Sequence, residues 1–207
     1  MPAERIALSA LLEPENPAPL EQVRSRIAAG EVFVYPTETV YGIGGRFDGI
    51  EVYSRILAAK KRRPEQAMIL IAADFAAFSP LSPVFPPAAE KLAGAFWPGM
   101  LTLVVPTKNS PDGVAVRVSG HPFLQALRPR CSHPLFSTSA NISGEPYDPS
   151  TDAIYATFKE SVDFMIDAGE LPPSAPSTVV KVTGDNAVTV LREGSVSAER
   201  IFAVCKG

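Results

Sequence analysis

The sequence is poor in the residues that carry much of familiar site chemistry. It has two cysteines, two histidines and one tryptophan in 207 residues. Cys131 and Cys205 form no CxxC pair, so no disulfide framework is expected, and a reducing, cytoplasmic setting fits this usage best. His121 and His133 stand at no zinc-site spacing from a second ligand, so no metal held by protein side chains is expected. There is no GxxxxGK[ST] loop and no GxGxxG fingerprint. Ser139 lies in a Ser-Ala-Asn-Ile-Ser run and not in GxSxG, which leaves a hydrolase triad without its elbow. Charge is also nearly balanced: the net charge is −3 and the isoelectric point about 5.5. That speaks against a broad nucleic-acid footprint, but not against a small basic pocket for a small anion. No apolar run approaches the ~20 residues of a membrane helix, and the first ten residues, which include Glu4 and Arg5, lack the apolar stretch of a secretion signal.

Proline, by contrast, is abundant. Twenty-one prolines are about twice average usage. They cluster between apolar runs, which predicts sharp connections and few long helices. A hydrophobic fraction of 46% against 20% charged residues supplies a sizeable core, and the length suits one domain spanning 1–207. Helical spacing runs through 18–29, 50–61, 87–96, 121–127 and 150–159. Strand-like stretches are 31–35, 68–72, 101–105, 114–118, 135–139, 162–166, 177–182 and 188–192, the last two joined by a hairpin-type turn at 183–186. The glycine-rich stretch 37–49 reads as turns. Early alternation of strands and helices, closed by a hairpin, predicts an α/β fold with a mixed sheet and flanking helices.

Five polar segments interrupt this pattern. Pro36-Thr37-Glu38-Thr39-Val40-Tyr41-Gly42-Ile43-Gly44-Gly45 follows a predicted strand, at the edge where ligands bind open α/β sheets; it reads as a ligand loop or as an ordinary connection. Lys61-Arg62-Arg63-Pro64 joins point charge and rigid fork, a set suited to polyphosphate, and equally a solvated helix C-terminus. Ser137-Thr138-Ser139-Ala140-Asn141-Ile142-Ser143-Gly144 is dense enough in hydroxyls to grip a phosphate or to cap a buried helix. Arg117 lies inside the apolar strand Val-Ala-Val-Arg-Val, where a buried cation needs an anion: a substrate carboxylate or an internal Asp or Glu. Ser177 and Thr178 start one strand and Arg192 ends the next.

These segments, in their order and together with Trp97-Pro98-Gly99-Met100-Leu101-Thr102, resemble the YrdC/Sua5 family of threonylcarbamoyl-adenylate synthases, over roughly residues 20–194. The resemblance implies a twisted mixed sheet around an open central cavity. It also implies condensation of L-threonine, bicarbonate and ATP to threonylcarbamoyl-AMP and pyrophosphate, with partner proteins then modifying adenosine 37 of ANN-decoding tRNAs. Carried over by motif, Thr37, Arg117, Thr138 and Ser177 bind threonine. Lys61 and Arg63 bind the ATP phosphates and stabilise departing pyrophosphate, and Ser139, Asn141 and Arg192 reach the nucleotide. Magnesium is expected with ATP, and no residue is assigned as general base. Departures are Met100-Leu101 within the Trp-Pro-Gly segment and Ala67-Met68 where the family often has Pro-Leu. The chain ends soon after Leu191-Arg192-Glu193-Gly194, which suggests the short YrdC type. Two alternatives stand: a non-catalytic RNA-binding module of the same fold, and the related carbamoyl-adenylate domain of hydrogenase maturation proteins, whose cysteines are missing. For the synthase reading the loops must meet at one rim of the sheet, in a single anion-binding hollow.

Overall fold

The computed structural model describes residues 1–63, 68–128 and 133–206; Pro64, Ala67 and Cys131, all considered above, lie outside them. Ten strands form one sheet: β1 (Glu4–Ala7), β2 (Phe33–Tyr35), β3 (Gly42–Arg46), β4 (Ile69–Ala72), β5 (Leu101–Thr107), β6 (Ser110–Val118), β7 (Leu135–Ser139), β8 (Phe164–Asp167), β9 (Thr178–Val182) and β10 (Val188–Arg192). Their spatial order is β1-β8-β2-β3-β7-β4-β6-β5-β9-β10. The sheet is mixed as expected: β1, β8 and β2 run parallel, whereas β3 is antiparallel to both β2 and β7.

Among the described residues seven helices accompany the strands: α1 (Leu8–Leu11), α2 (Ala18–Ala28), α3 (Ile50–Ala59), α4 (Pro87–Phe96), α5 (Pro122–Leu127), α6 (Thr151–Phe158) and α7 (Ala198–Lys206), with a 3₁₀ turn over Phe75–Leu81. Every helix predicted from periodicity is present to within two or three residues. Strand β1, helix α1, the 3₁₀ turn and α7 were not anticipated: β1 and α1 have four residues each, and α7 buries only Ile201 fully. α7 does carry apolar residues at helical spacing, Ile201, Val204 and Cys205, which the sequence reading passed over.

Side-chain alternation on the strands divides the interior. Val23 and Ile27 of α2 and Phe123, Leu124 and Leu127 of α5 pack on Phe33, Tyr35, Ile71 and Phe164. Helices α3 and α6 cover Val34, Ile43 and Met165. Farther along, α4 and α7 cover Leu70, Val116, Leu103 and Val180, which sit side by side in register. Alternate residues on these same strands point the other way. Ile69, Val104, Ala115, Arg117 and Val179 join none of these cores and line an open cavity instead.

The glycine-rich stretch corrects the sequence reading, because residues 42–46 are a buried central strand and not a turn. Glycines usually punctuate, but here the neighbours leave no room for a side chain. A Cβ on Gly44 would lie 2.1 Å from the Phe136 carbonyl oxygen of β7 and 3.1 Å from the Tyr35 ring.

Candidate functional site

The cavity occupies about 350 Å³, within the ~300–1,000 Å³ of small-ligand sites. Strands β4 and β5 give it apolar wall through Ile69 and Val104, and its polar side chains come from well-separated stretches of sequence. The β2–β3 connection supplies Thr37 and Thr39, and the turn after α3 supplies Arg62. Strand β6 supplies Arg117, the end of β7 supplies Ser137, Thr138 and Ser139, and β9–β10 supply Ser177 and Arg192. Of the residues assigned from sequence, Thr37, Arg117, Thr138, Ser139, Ser177 and Arg192 are therefore brought together. Among the described residues the lining holds three arginines and several hydroxyls and no Asp or Glu, a set that favours an anion.

Three assigned residues are placed elsewhere. Lys61 and Arg63 are exposed and are absent from the lining, where Arg62 stands instead. The cause is local. At the end of α3, Lys61 N–H bonds to Ala58 O at 3.1 Å and Arg62 N–H to Leu57 O at 2.9 Å, the paired bonds of a Schellman cap. Lys61 takes a φ of +51° to close it. That reversal turns Lys61 outward and brings Arg62 back over the sheet, where Nη1 donates to Thr138 Oγ1 at 2.7 Å. Asn141 is the third. Its Nδ2 donates to Ile142 O at 3.1 Å and Glu145 O at 2.7 Å, and its Oδ1 accepts from Ser139 Oγ at 2.6 Å. The side chain locks its own loop and faces a second, open groove beside α6.

Lys60 was given no site role from sequence, yet it is only 1% exposed. It continues the buried stripe Val52, Ile56 of α3 by four residues, so helical spacing carried the signal. Its ammonium donates to Ser139 O, to Asn141 O at 2.7 Å and to Asn141 Oδ1 at 3.3 Å. Burial pushes its pKa down to about 8, with a smaller push from Arg62. Lys60 thus staples the end of α3 to the loop that follows β7. An unpartnered buried ammonium would cost several kcal/mol; three oxygen acceptors offset that.

Arg117 has the internal acidic partner that one reading of its strand called for, and it also stands in the cavity wall. It is 3% exposed and pairs with Glu38 at 2.7 Å, yet its side chain forms part of the cavity wall. Nε donates to Gly99 O at 2.8 Å and Nη1 to Thr39 Oγ1 at 3.3 Å. Burial lowers its pKa, and the Glu38 charge opposes that. Thr39 Oγ1 in turn lies 3.1 Å from Thr37 Oγ1, which donates to Val40 O at 2.7 Å. Across the cavity, Thr102 Oγ1 and Ser177 Oγ are 2.9 Å apart, and Arg192 Nη2 donates to Ser177 O at 2.8 Å. Tyr35, fully buried, donates to Ser137 Oγ at 2.7 Å.

Residues 25–194 match the model of the Sua5, YciO and YrdC proteins, which carries the description "Telomere recombination". The chain belongs to the Sua5/YciO/YrdC family. It is 35% identical over 198 residues to the threonylcarbamoyl-AMP synthase of Pyrococcus abyssi (strain GE5 / Orsay), covering 89% of this chain and 58% of that protein. It is 31% identical over 198 residues to the threonylcarbamoyl-AMP synthase of Bacillus subtilis (strain 168), covering 91% of this chain and 57% of the relative. The chain thus spans less than three fifths of the length of these curated relatives. The crystal structure of P. abyssi Sua5 complexed with L-threonine superposes with a TM-score of 0.85 at 31% identity, over 99% of this chain and 61% of that one. Membership of the Sua5/YciO/YrdC family accounts for the fold expected from the motifs, a twisted mixed sheet with an open cavity. No described helix is long and apolar enough to cross a membrane.

Proposed function

We propose that this domain condenses L-threonine, bicarbonate and ATP to threonylcarbamoyl-AMP and pyrophosphate. The observation that carries this is the meeting of Thr37, Arg62, Arg117, Thr138, Ser139, Ser177 and Arg192 in one cavity. The names of the two curated relatives and the threonine bound to the P. abyssi protein support the choice of substrate.

In this reading Arg117 receives the threonine carboxylate, and Thr37, Thr138 and Ser177 orient the rest of the amino acid. Threonine's amine attacks bicarbonate, releasing water and leaving an N-carboxylate. An oxygen of that carbamate attacks the α-phosphorus of ATP as the bond to the β-phosphate oxygen breaks and pyrophosphate departs. Arg62 takes the phosphate-facing role that the sequence assigned to Lys61 and Arg63, with Arg192 and Ser139 beside the nucleotide. Guanidiniums fixed before the reaction stabilise charge as it develops on the leaving group. Holding three reactants in one hollow supplies much of the remaining acceleration.

Magnesium enters with ATP in this proposal. The lining offers hydroxyls and guanidiniums rather than carboxylates, and among the described residues no group of three or more His, Cys, Asp or Glu side chains could hold a metal ion. In this reading phosphate oxygens and water are its ligands. The same reading places the protein in the cytoplasm, upstream of proteins that pass the threonylcarbamoyl group to adenosine 37 of ANN-decoding tRNAs. Pyrophosphate release from ATP tests it: release is expected only with threonine and bicarbonate both present. Equal release without threonine refutes it, and salt-sensitive tRNA binding with no release points to an RNA-binding module.

A further inference from the structure

The cavity's most buried cation is not free to choose its own direction. Glu38 Oε2 accepts from Arg117 Nη2 at 2.7 Å and from Ser119 Oγ at 2.9 Å, and Glu38 Oε1 accepts from Gly120 N at 2.7 Å. One carboxylate thus ties together the β2–β3 connection, β6 and the turn entering α5. Glu38 is not itself part of the cavity lining.

A guanidinium has five N–H groups. In Arg117, Nε is committed to Gly99 O, one proton of Nη1 to Thr39 and one of Nη2 to Glu38. One N–H then remains on each terminal nitrogen, and the side chain forms cavity wall. We propose that Glu38 is a positioning residue for amino-acid recognition: by clamping one edge of Arg117 it presents the remaining N–H pair to a substrate carboxylate. This rests on the threonine reading given above and adds to it a residue that acts only through Arg117. The clamp also sets charge. A 3%-exposed guanidinium without its carboxylate is a buried, uncompensated cation, which would relax towards whatever anion or water it could reach.

The test is a double-mutant cycle on the whole chain, with threonine affinity read by calorimetry and by the threonine KM of pyrophosphate release. Glu38→Gln keeps the size and one acceptor oxygen but removes the charge. It is expected to weaken threonine binding about tenfold, with kcat at saturating threonine and the ATP KM within about twofold of wild type. In an Arg117→Lys background the same change is expected to add less than about twofold, because the group it acts through is gone. Additive effects, or equal shifts in the threonine and ATP constants, overturn the assignment and leave Glu38 a general structural residue. If Glu38→Gln does not fold by circular dichroism, Ser119→Ala decides. That variant removes one of three donors to the carboxylate and is expected to raise the threonine KM about two- to threefold while sparing the ATP KM; an unchanged threonine KM overturns the proposal. A wild-type protein that binds no threonine overturns both this inference and the functional reading. One that binds threonine indifferently to Glu38 overturns the inference alone.

Discussion

Replacing Lys61 with glycine is expected to stabilise the protein slightly and to leave its activity intact, although the sequence places Lys61 on the ATP phosphates. The structure sets the magnitude. Lys61 closes the α3 cap with a φ of +51°, and a side chain in left-handed backbone costs about 1–2 kcal/mol that glycine avoids. Two terms oppose the gain. Glycine's added freedom in the unfolded chain costs about 0.4–1 kcal/mol. Losing an exposed positive charge from a helix C-terminus costs about 0.3 kcal/mol. The strain term wins by about 0.5 kcal/mol, which in a chain of this length raises Tm by roughly 1–2 °C. Differential scanning calorimetry reads the shift. Lys61→Ala is the control, since it removes the charge but keeps the strain and should not gain. Because Lys61 is exposed and outside the cavity lining, pyrophosphate release should stay within about twofold of wild type. A tenfold loss of release in both variants, or a lower Tm in Lys61→Gly, would refute the argument that the cap, and not phosphate, dictates this position.

Arg62→Ala is expected to have the opposite profile, because it deletes the charge-assisted bond to Thr138 Oγ1: kcat/KM for ATP should fall about 10- to 100-fold, with threonine affinity less affected, and steady-state kinetics with each substrate varied separates the two. Lys60 supplies a pH test. Its folded pKa is about 8 against 10.5 for the free side chain, so between these values the unfolded chain holds a proton the folded chain has lost, and stability should rise with pH across that window. Below pH 8 both states are protonated and this contribution is flat. Urea midpoints of wild type and Lys60→Met between pH 7 and 10 should diverge in favour of wild type as pH rises, and a constant difference would contradict the burial of Lys60.

Local signals carried most of the architecture. The helices at 18–28, 50–59 and 87–96 were legible because apolar residues recur at the helical period and proline or glycine marks their ends. Strand β6 was legible as an apolar run whose one arginine demanded an anion. The segment 42–46 was not, because glycine's usual meaning in sequence is a turn. Only the approach of the Phe136 carbonyl and the Tyr35 ring explains why a central strand should be built from it. Similarly, β1 buries too few side chains to impose a period.

For the site, the sequence by itself determined which segments matter: the hydroxyl-rich loops after β2 and β7, the cationic end of α3, Arg117, Ser177 and Arg192. It did so because polar side chains that interrupt apolar strands cannot be buried without partners. What only the tertiary structure decided is which atoms within each segment face the cavity. In Lys60-Lys61-Arg62-Arg63 the buried helical stripe ends at Lys60, and a single left-handed residue, Lys61, then reverses the chain, turning itself outward and bringing Arg62 to Thr138. The helical period cannot be extrapolated through such a reversal. In Ser-Thr-Ser-Ala-Asn the amide that looked like a nucleotide ligand closes its own loop, and in Thr-Glu-Thr the acid between the two threonines holds Arg117. Arg62 and Glu38 depend on partners nearly 80 residues away in sequence and Asn141 on the turn that brings Glu145 O to it, and neither is written in composition or spacing.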